Sequence, residues 1–208
     1  MLSSRIKTIK LESEPAMNTL ILGLSLFLGI HSTRIFADGW RTRQIARLGE
    51  NGWKGLHAAI SLIGFGLMVW GYGQTRGVPV ELWHPPAWTR HLAALLTVPA
   101  FVLLAAAYVP DNRIKRRLGH PMIAGVALWA LAHLLSNGRP GDVLLFGAFL
   151  LWAVLDFAAA RRRDRAAGTR HAAGTFARDG LVMLVGLLAW LAFVKFAHLW
   201  LTGVAPFA

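Results

Sequence analysis

The 208-residue chain is 55% hydrophobic, carries nine Trp and eleven Phe, and has a formal charge of +12. Its apolar residues run in blocks longer than the alternating faces of a soluble domain allow, so a polytopic membrane protein of one domain is expected. The charge would suit nucleic acid, but the basic residues lie between apolar blocks, where membrane topology puts them, so no nucleic-acid partner is expected; the absence of Cys excludes disulfides, thiolate chemistry and Cys-ligated clusters.

Residues 1–16 (MLSSRIKTIKLESEPA) are polar and contain Arg5, Lys7 and Lys10. They read as an N-terminal extension, non-native or disordered, with Met17 as the true start. From Met17 the run MNTLILGLSLFLGIHSTRIFA is the first expected span. A signal peptide is disfavoured, because no small-residue cleavage site precedes Arg34.

Five further apolar blocks lie at roughly 56–75, 91–109, 120–136, 142–160 and 180–203, each long enough at 1.5 Å per residue to cross a core of about 30 Å. Asn137-Gly138-Arg139-Pro140-Gly141 marks a tight turn, so the fourth and fifth helices form a hairpin. The expected fold class is all-α, a polytopic bundle of about six transmembrane helices over residues 17–208. Gly64, Gly66 and Gly125 are expected to allow close helix approach. The GYG triplet at 71–73 has no accompanying pore helix, and no internal repeat is present, so neither an ion filter nor an inverted-repeat transporter is favoured.

Connections 34–54, 110–119 and 160–179 carry fifteen Lys and Arg, against six on the other side, or three counted from Met17. That asymmetry puts the three connections in the cytoplasm and both termini outside, so a bacterial inner-membrane protein with periplasmic termini is expected. Trp40 and Trp53 on the inner side, and Trp83, Trp88 and Trp200 on the outer, suit interfacial belts.

Ionisable groups at membrane depth are costly and therefore candidates for function. Expected depths sort them into an inner layer of His31, Arg34, His57, His120 and Asp156, and an outer layer of His91, His133, Lys195 and His198. Neutral imidazole is a common ligand for transition metals and for haem iron. His31 and His133 are the most deeply placed histidines, with Arg34 and Lys195 as possible propionate partners. His57, His91 and His120 rank lower, since a His near a helix end more often meets water or a carbonyl. The depths of His31 and His133 differ by about 10 Å, a gap that tilt or a shifted helix end has to close. Arg34 pairs equally well with Asp156, because a buried charge needs a partner. Lys195 can instead snorkel outward. His84 and His171 lie in connections and carry no signal. No proton-transfer dyad or nucleophile stands out, so whether the chain is an enzyme is left open.

The stretches HSTR (31–34), GWKGLHAAISLIGFGLMVWGYG (52–73), LWHPPAWTRHLA (82–93), HPMIAGVALWALAHLLSNG (120–138) and LLFGAFLLWAVLD (144–156) closely resemble the NnrU family. The resemblance covers roughly residues 17–165, in order, with the last helix less diagnostic. It implies a role alongside nitrite and nitric oxide reduction in denitrifying bacteria. The family is also similar to 15-cis-zeta-carotene isomerase, an integral membrane haem b enzyme whose iron-ligating histidines match His31 and His133. The isomerase has a cysteine one turn before the second histidine, where this chain has Ala130, so ligand exchange at that cysteine is not implied here. Three functional expectations result: a haem b membrane protein of nitrogen-oxide metabolism, isomerase-like action on a polyene included; a non-catalytic accessory or assembly factor for a nitrite or nitric oxide reductase; and, least favoured, a small-molecule or ion carrier using His31, Arg34 and Asp156.

Overall fold

The computed structural model describes residues 2–77 and 80–206, with side chains from residue 14 onward. The chain is all-α; among the described residues the only extended pairing is an isolated bridge between Asn112 and Thr175. Among the described residues, four helices are long and apolar enough to cross a membrane: Asp38–Thr75, Trp88–Tyr108, Pro140–Ala167 and Phe176–Thr202. A shorter apolar helix, Pro121–Ser136, joins them. Large apolar side chains cover their outer faces, Leu62 at 70% exposure and Leu95 at 69% among them. Such a surface is stable against lipid tails and not against water. The chain is a multi-pass membrane protein in contact with the bilayer.

Two compact units make up the chain: Met1–Trp83 with Arg139–Ala148, and His84–Gly138 with Phe149–Ala208. In the first, α1 (Leu2–His31) holds the first apolar run, and a short α2 (Thr33–Phe36) comes directly after it. Then α3 (Asp38–Thr75) runs on as a single long helix with one break at Gly49, whose φ of 74° is a conformation that favours glycine. The connection 34–54, expected as a loop, is therefore largely helical. Its Arg, Gln, Ala, Leu and Glu residues are good helix formers, and charge content says which side of the membrane a segment occupies, not whether it coils.

α1 and α3 pack through small residues. Leu20 and Leu24 on α1 and Gly64, Met68, Gly71 and Thr75 on α3 are buried at intervals of three or four, which is one face of a helix. A Cβ added at Gly64 would lie 2.7 Å from Phe27 N, and one at Gly23 would lie 2.9 Å from Gly64 O. The two backbones are in direct contact, as expected for Gly64. Gly66 is a correction: nothing lies within 4 Å of its added Cβ, because two residues along a helix point away from the seam. The C-terminal end of α3 is tied to the first turn of α7 (Pro140–Ala167), where Tyr72 OH donates to Asp142 Oδ1 at 2.7 Å and Arg139 N donates to Asp142 Oδ2 at 3.1 Å.

The second unit is built on α4 (Trp88–Tyr108), which packs against both α6 (Pro121–Ser136) and α8 (Phe176–Ala192). Val102, Ala105, Ala106 and Val182 form its core. Glycines again permit the approach, with an added Cβ at Gly125 meeting Ala100 O at 2.9 Å and one at Gly186 meeting Val102 Cα at 2.6 Å. Gly125 thus matches its expectation. Asn112, 2% exposed, caps α5 (Arg113–Leu118): Oδ1 accepts from Lys115 N at 2.7 Å, while Nδ2 donates to the Ala106 and Val109 carbonyls. This one amide fastens the end of α4 to the start of α5. Asp179 on α8 accepts from Arg113 N at 2.7 Å and completes the corner. After α8 the helix widens into a π-turn over Phe193–Ala197, then closes with α9 (His198–Thr202) and Gly203 at φ 68°.

Candidate functional site

His31 is the last residue of α1, and its Nδ1 lies 2.7 Å from the Phe27 carbonyl one turn earlier. A carbonyl only accepts, so Nδ1 carries the proton and Nε2 keeps the lone pair. The Phe27 ring stacks on the imidazole at 4.3 Å. His57, on α3, packs edge-on against the same imidazole at 4.8 Å, with Trp53 6.3 Å beyond. Ser61 Oγ donates to the His57 carbonyl at 2.7 Å and lies 3.4 Å from His57 Nδ1. The first unit thus gathers two imidazoles in an aromatic setting. Arg34 lies three residues beyond His31, on α2, and is exposed.

His133, in the second unit, repeats the local arrangement of His31. Its Nδ1 lies 2.8 Å from the Trp129 carbonyl, again one turn earlier, and the Trp129 ring sits 5.2 Å from the imidazole. Trp129 in turn meets Phe149 edge-on at 5.5 Å. In each case the residue four before the histidine supplies both the carbonyl and the aromatic ring, so the helix itself sets tautomer and orientation. Metal-bound histidines use the same kind of support.

Beside His133 the structure brings a residue that the sequence places in the same layer without assigning it a role. The His198 ring lies 6.4 Å from that of His133, with planes 20° apart. His198 Nδ1 lies 2.8 Å from the Val204 carbonyl, so it too carries its proton there and keeps the lone pair on Nε2. Phe193, at the start of the π-turn, meets His198 edge-on at 6.0 Å. Lys195, within that turn, is exposed and lies 5.6 Å from the Phe196 ring.

The remaining candidates take other partners. His120 Nε2 donates to Asp164 Oδ2 at 2.9 Å, and His171 Nε2 lies 3.7 Å from the same oxygen. Gly119, at φ 76°, lets them meet, since a Cβ there would lie 3.2 Å from both His171 Nε2 and Arg161 Nη1. Asp164 lies past the apolar run of α7, outside the span. Burial pushes its carboxyl up, but the His120 hydrogen bond and the charges of His120, His171 and Arg161 outweigh that and hold it below its ordinary value. His171 carries no signal in the sequence, and a Gly119-His120 pair facing a distant acid is not a recognisable spacing. His91 is exposed on the first turn of α4. Asp156 pairs with Arg163 at 3.6 Å, two turns along its own helix. Among the described residues, no group of three or more His, Asp or Glu side chains is arranged to hold a metal ion.

A family model described as NnrU protein matches residues 19–206, from the first apolar helix to the last. The chain belongs to the NnrU family. No curated protein and no solved structure matches it. The NnrU match takes in His31, His133 and the last helix with His198, which lies beyond the stretches that carry the sequence resemblance. Ala130, one turn before His133, is fully buried on α6.

Proposed function

We propose that this NnrU protein binds haem b in a bacterial inner membrane, termini on the periplasmic side, and serves nitrite and nitric oxide metabolism. In this reading His31 and His133 bind the iron through Nε2, and Arg34 meets a propionate at the inner surface. The observation that supports it is the shared local arrangement of the two histidines: a carbonyl one turn back holds Nδ1–H, and an aromatic ring packs the imidazole. That donor set fits haem iron, which takes neutral imidazole nitrogen and apolar, aromatic walls. Held by these two imidazoles, a haem would supply electron transfer, and a place for a small ligand such as nitric oxide were one imidazole displaced.

The chain's own residues do the rest. Phe27 and Trp129 fix the two ring orientations before any ligand arrives, which lowers the entropy lost on binding. Their rings also shield the imidazoles from water, and the matching Nδ1 contacts raise the basicity of Nε2. Full-length protein purified in detergent should show a Soret band that shifts on dithionite reduction and on nitric oxide addition. His31→Ala and His133→Ala should each change that spectrum. A colourless protein from cells supplied with ample haem would end the proposal and favour an accessory factor for a reductase.

A further inference from the structure

We propose that the C-terminal part of α7 holds the headgroup of an anionic phospholipid in a cleft lined by three arginines. The inference is independent of haem binding. The long apolar run of α7 ends at Ala160, and the chain then reads Arg161-Arg162-Arg163-Asp164-Arg165. A cleft of about 600 Å³ straddles that boundary, lined by Phe157, Ala158, Arg161, Arg162 and Arg165. Positions 157, 161 and 165 follow at steps of four, and 158, 162 and 165 at four and three, so all five side chains stand on one broad face of the helix. Phe157 and Ala158 give it apolar surface where the span ends. The arginines from 161 to 165 cover about 6 Å of helix axis. A headgroup layer is about 5–7 Å deep on each side of the hydrocarbon core, so the two match.

Basic residues at the end of a span are by themselves a topology signal. Here the nearby carboxylates are drawn away from them. Asp156 pairs with Arg163 at 3.6 Å, and Asp164 accepts from His120 at 2.9 Å and faces His171 at 3.7 Å. Neither acid lines the cleft. Arg162 and Arg165 are exposed, and among the described residues no carboxylate pairs with them. Arg161 is half-buried at the Gly119 corner, where an added Cβ would lie 3.2 Å from its Nη1. The cleft therefore presents three cations, one of them held in place, and no anion. Phosphodiester oxygens suit guanidinium forks, each of which offers two parallel hydrogen bonds. The apolar half of the site favours a lipid over a free phosphate. Leu151 and Val154, 62% and 55% exposed, precede Ala158 by seven and four residues on the same face, so acyl chains continue from the headgroup along α7. Basic pockets at this level of membrane helices recognise anionic headgroups.

Native mass spectrometry of the full-length protein in a neutral detergent, titrated with phosphatidylglycerol, reads the lipid-bound fraction. Arg162→Gln/Arg165→Gln should weaken that binding by about tenfold. Arg116→Gln/Arg117→Gln removes the same charge from two exposed arginines of α5 and should weaken it by less than about twofold. Equal losses in the two double variants reduce the effect to net charge and overturn the site, as does no loss in either. Phosphatidylcholine bound as tightly as phosphatidylglycerol overturns the role of the arginines. Displacement of the lipid by an equal concentration of inorganic phosphate shows an anion pocket only and overturns the choice of occupant.

Discussion

Gly64 and Gly66 lie two residues apart on α3, yet the structure assigns them opposite responses to the same substitution. At Gly64 an added methyl would lie 2.7 Å from Phe27 N, 3.0 Å from Gly23 O and 3.1 Å from Leu26 Cβ. Ordinary Cβ contacts begin at 3.4 Å, so α1 and α3 must part by roughly half an ångström or more at that point. Two of the three obstacles are backbone atoms, which no rotamer change can move. Overpacking of this kind costs about 1–3 kcal/mol. Gly66→Ala meets nothing within 4 Å. Both variants gain the same helix propensity, up to about 1 kcal/mol, so the difference between them isolates the packing cost. Gly64→Ala should therefore be about 1–3 kcal/mol less stable than Gly66→Ala. Titration with SDS of protein in dodecyl maltoside, followed by circular dichroism, measures both midpoints. Equal midpoints, or a more stable Gly64→Ala, would refute the direct backbone contact of α1 and α3.

Asn112→Ala removes an acceptor for Lys115 N and two donors to the carbonyls of Ala106 and Val109, all in a buried corner. The same titration should show a loss of about 1–3 kcal/mol, and trypsin should cut faster after Arg113, Arg116 or Arg117; a loss below about 0.5 kcal/mol would mean that the cap is dispensable. Asp164 has a carboxyl held below its ordinary value, so its contribution is present above the unfolded-state value and is lost as pH falls through the folded-state one. Asp164→Asn should therefore be less stable than wild type at about pH 5 and should converge on it as pH is lowered past the usual carboxylate value of about 3.9. A gap that stays constant across that range would remove His120 and His171 as its charge partners.

The reach of the sequence here is governed by how local each cause is. Hydropathy and proline placement act within a few residues, and the expected blocks 91–109 and 120–136 correspond to Trp88–Tyr108 and Pro121–Ser136, the latter with Pro121 in its first turn. The helix over the connection 34–54 is hidden behind its charge, which imitates a loop signal although the residues favour helix. Gly64 and Gly66 look alike in composition; the seven-residue step from Gly64 to Gly71, two helical turns, is the available sign that only the first faces α1. The tautomers of His31 and His133 are half legible, since Trp129 and His133 share a face by spacing alone. The approach of His198 to His133 depends on a π-turn, and the His120–Asp164–His171 cluster on contacts across 44 residues of sequence on one side. Neither leaves a periodic trace.

A neutral imidazole within a membrane helix has a specific solvation problem, and the structure shows how this chain matches the donor nitrogen. An imidazole has one donor and one acceptor, and lipid offers partners for neither. At His31 and His133 the donor is matched by the carbonyl of the residue four before, a group already beside it on the helix, so no second element is needed to hold the proton on Nδ1. At His198 the helix has ended its regular course, and the Val204 carbonyl is returned by a left-handed glycine to do the same work. The outcome is one chemical form in three places, with Nε2 as the electron-pair donor. A carbonyl cannot satisfy that atom, whereas an O–H, an N–H or a Lewis acid can. In the haem reading proposed above, an iron would find at His31 and His133 an orientation already set before it binds. Local support for the same nitrogen, from the carbonyl four residues before, is the feature of His31 and His133 on which the proposed ligand role rests.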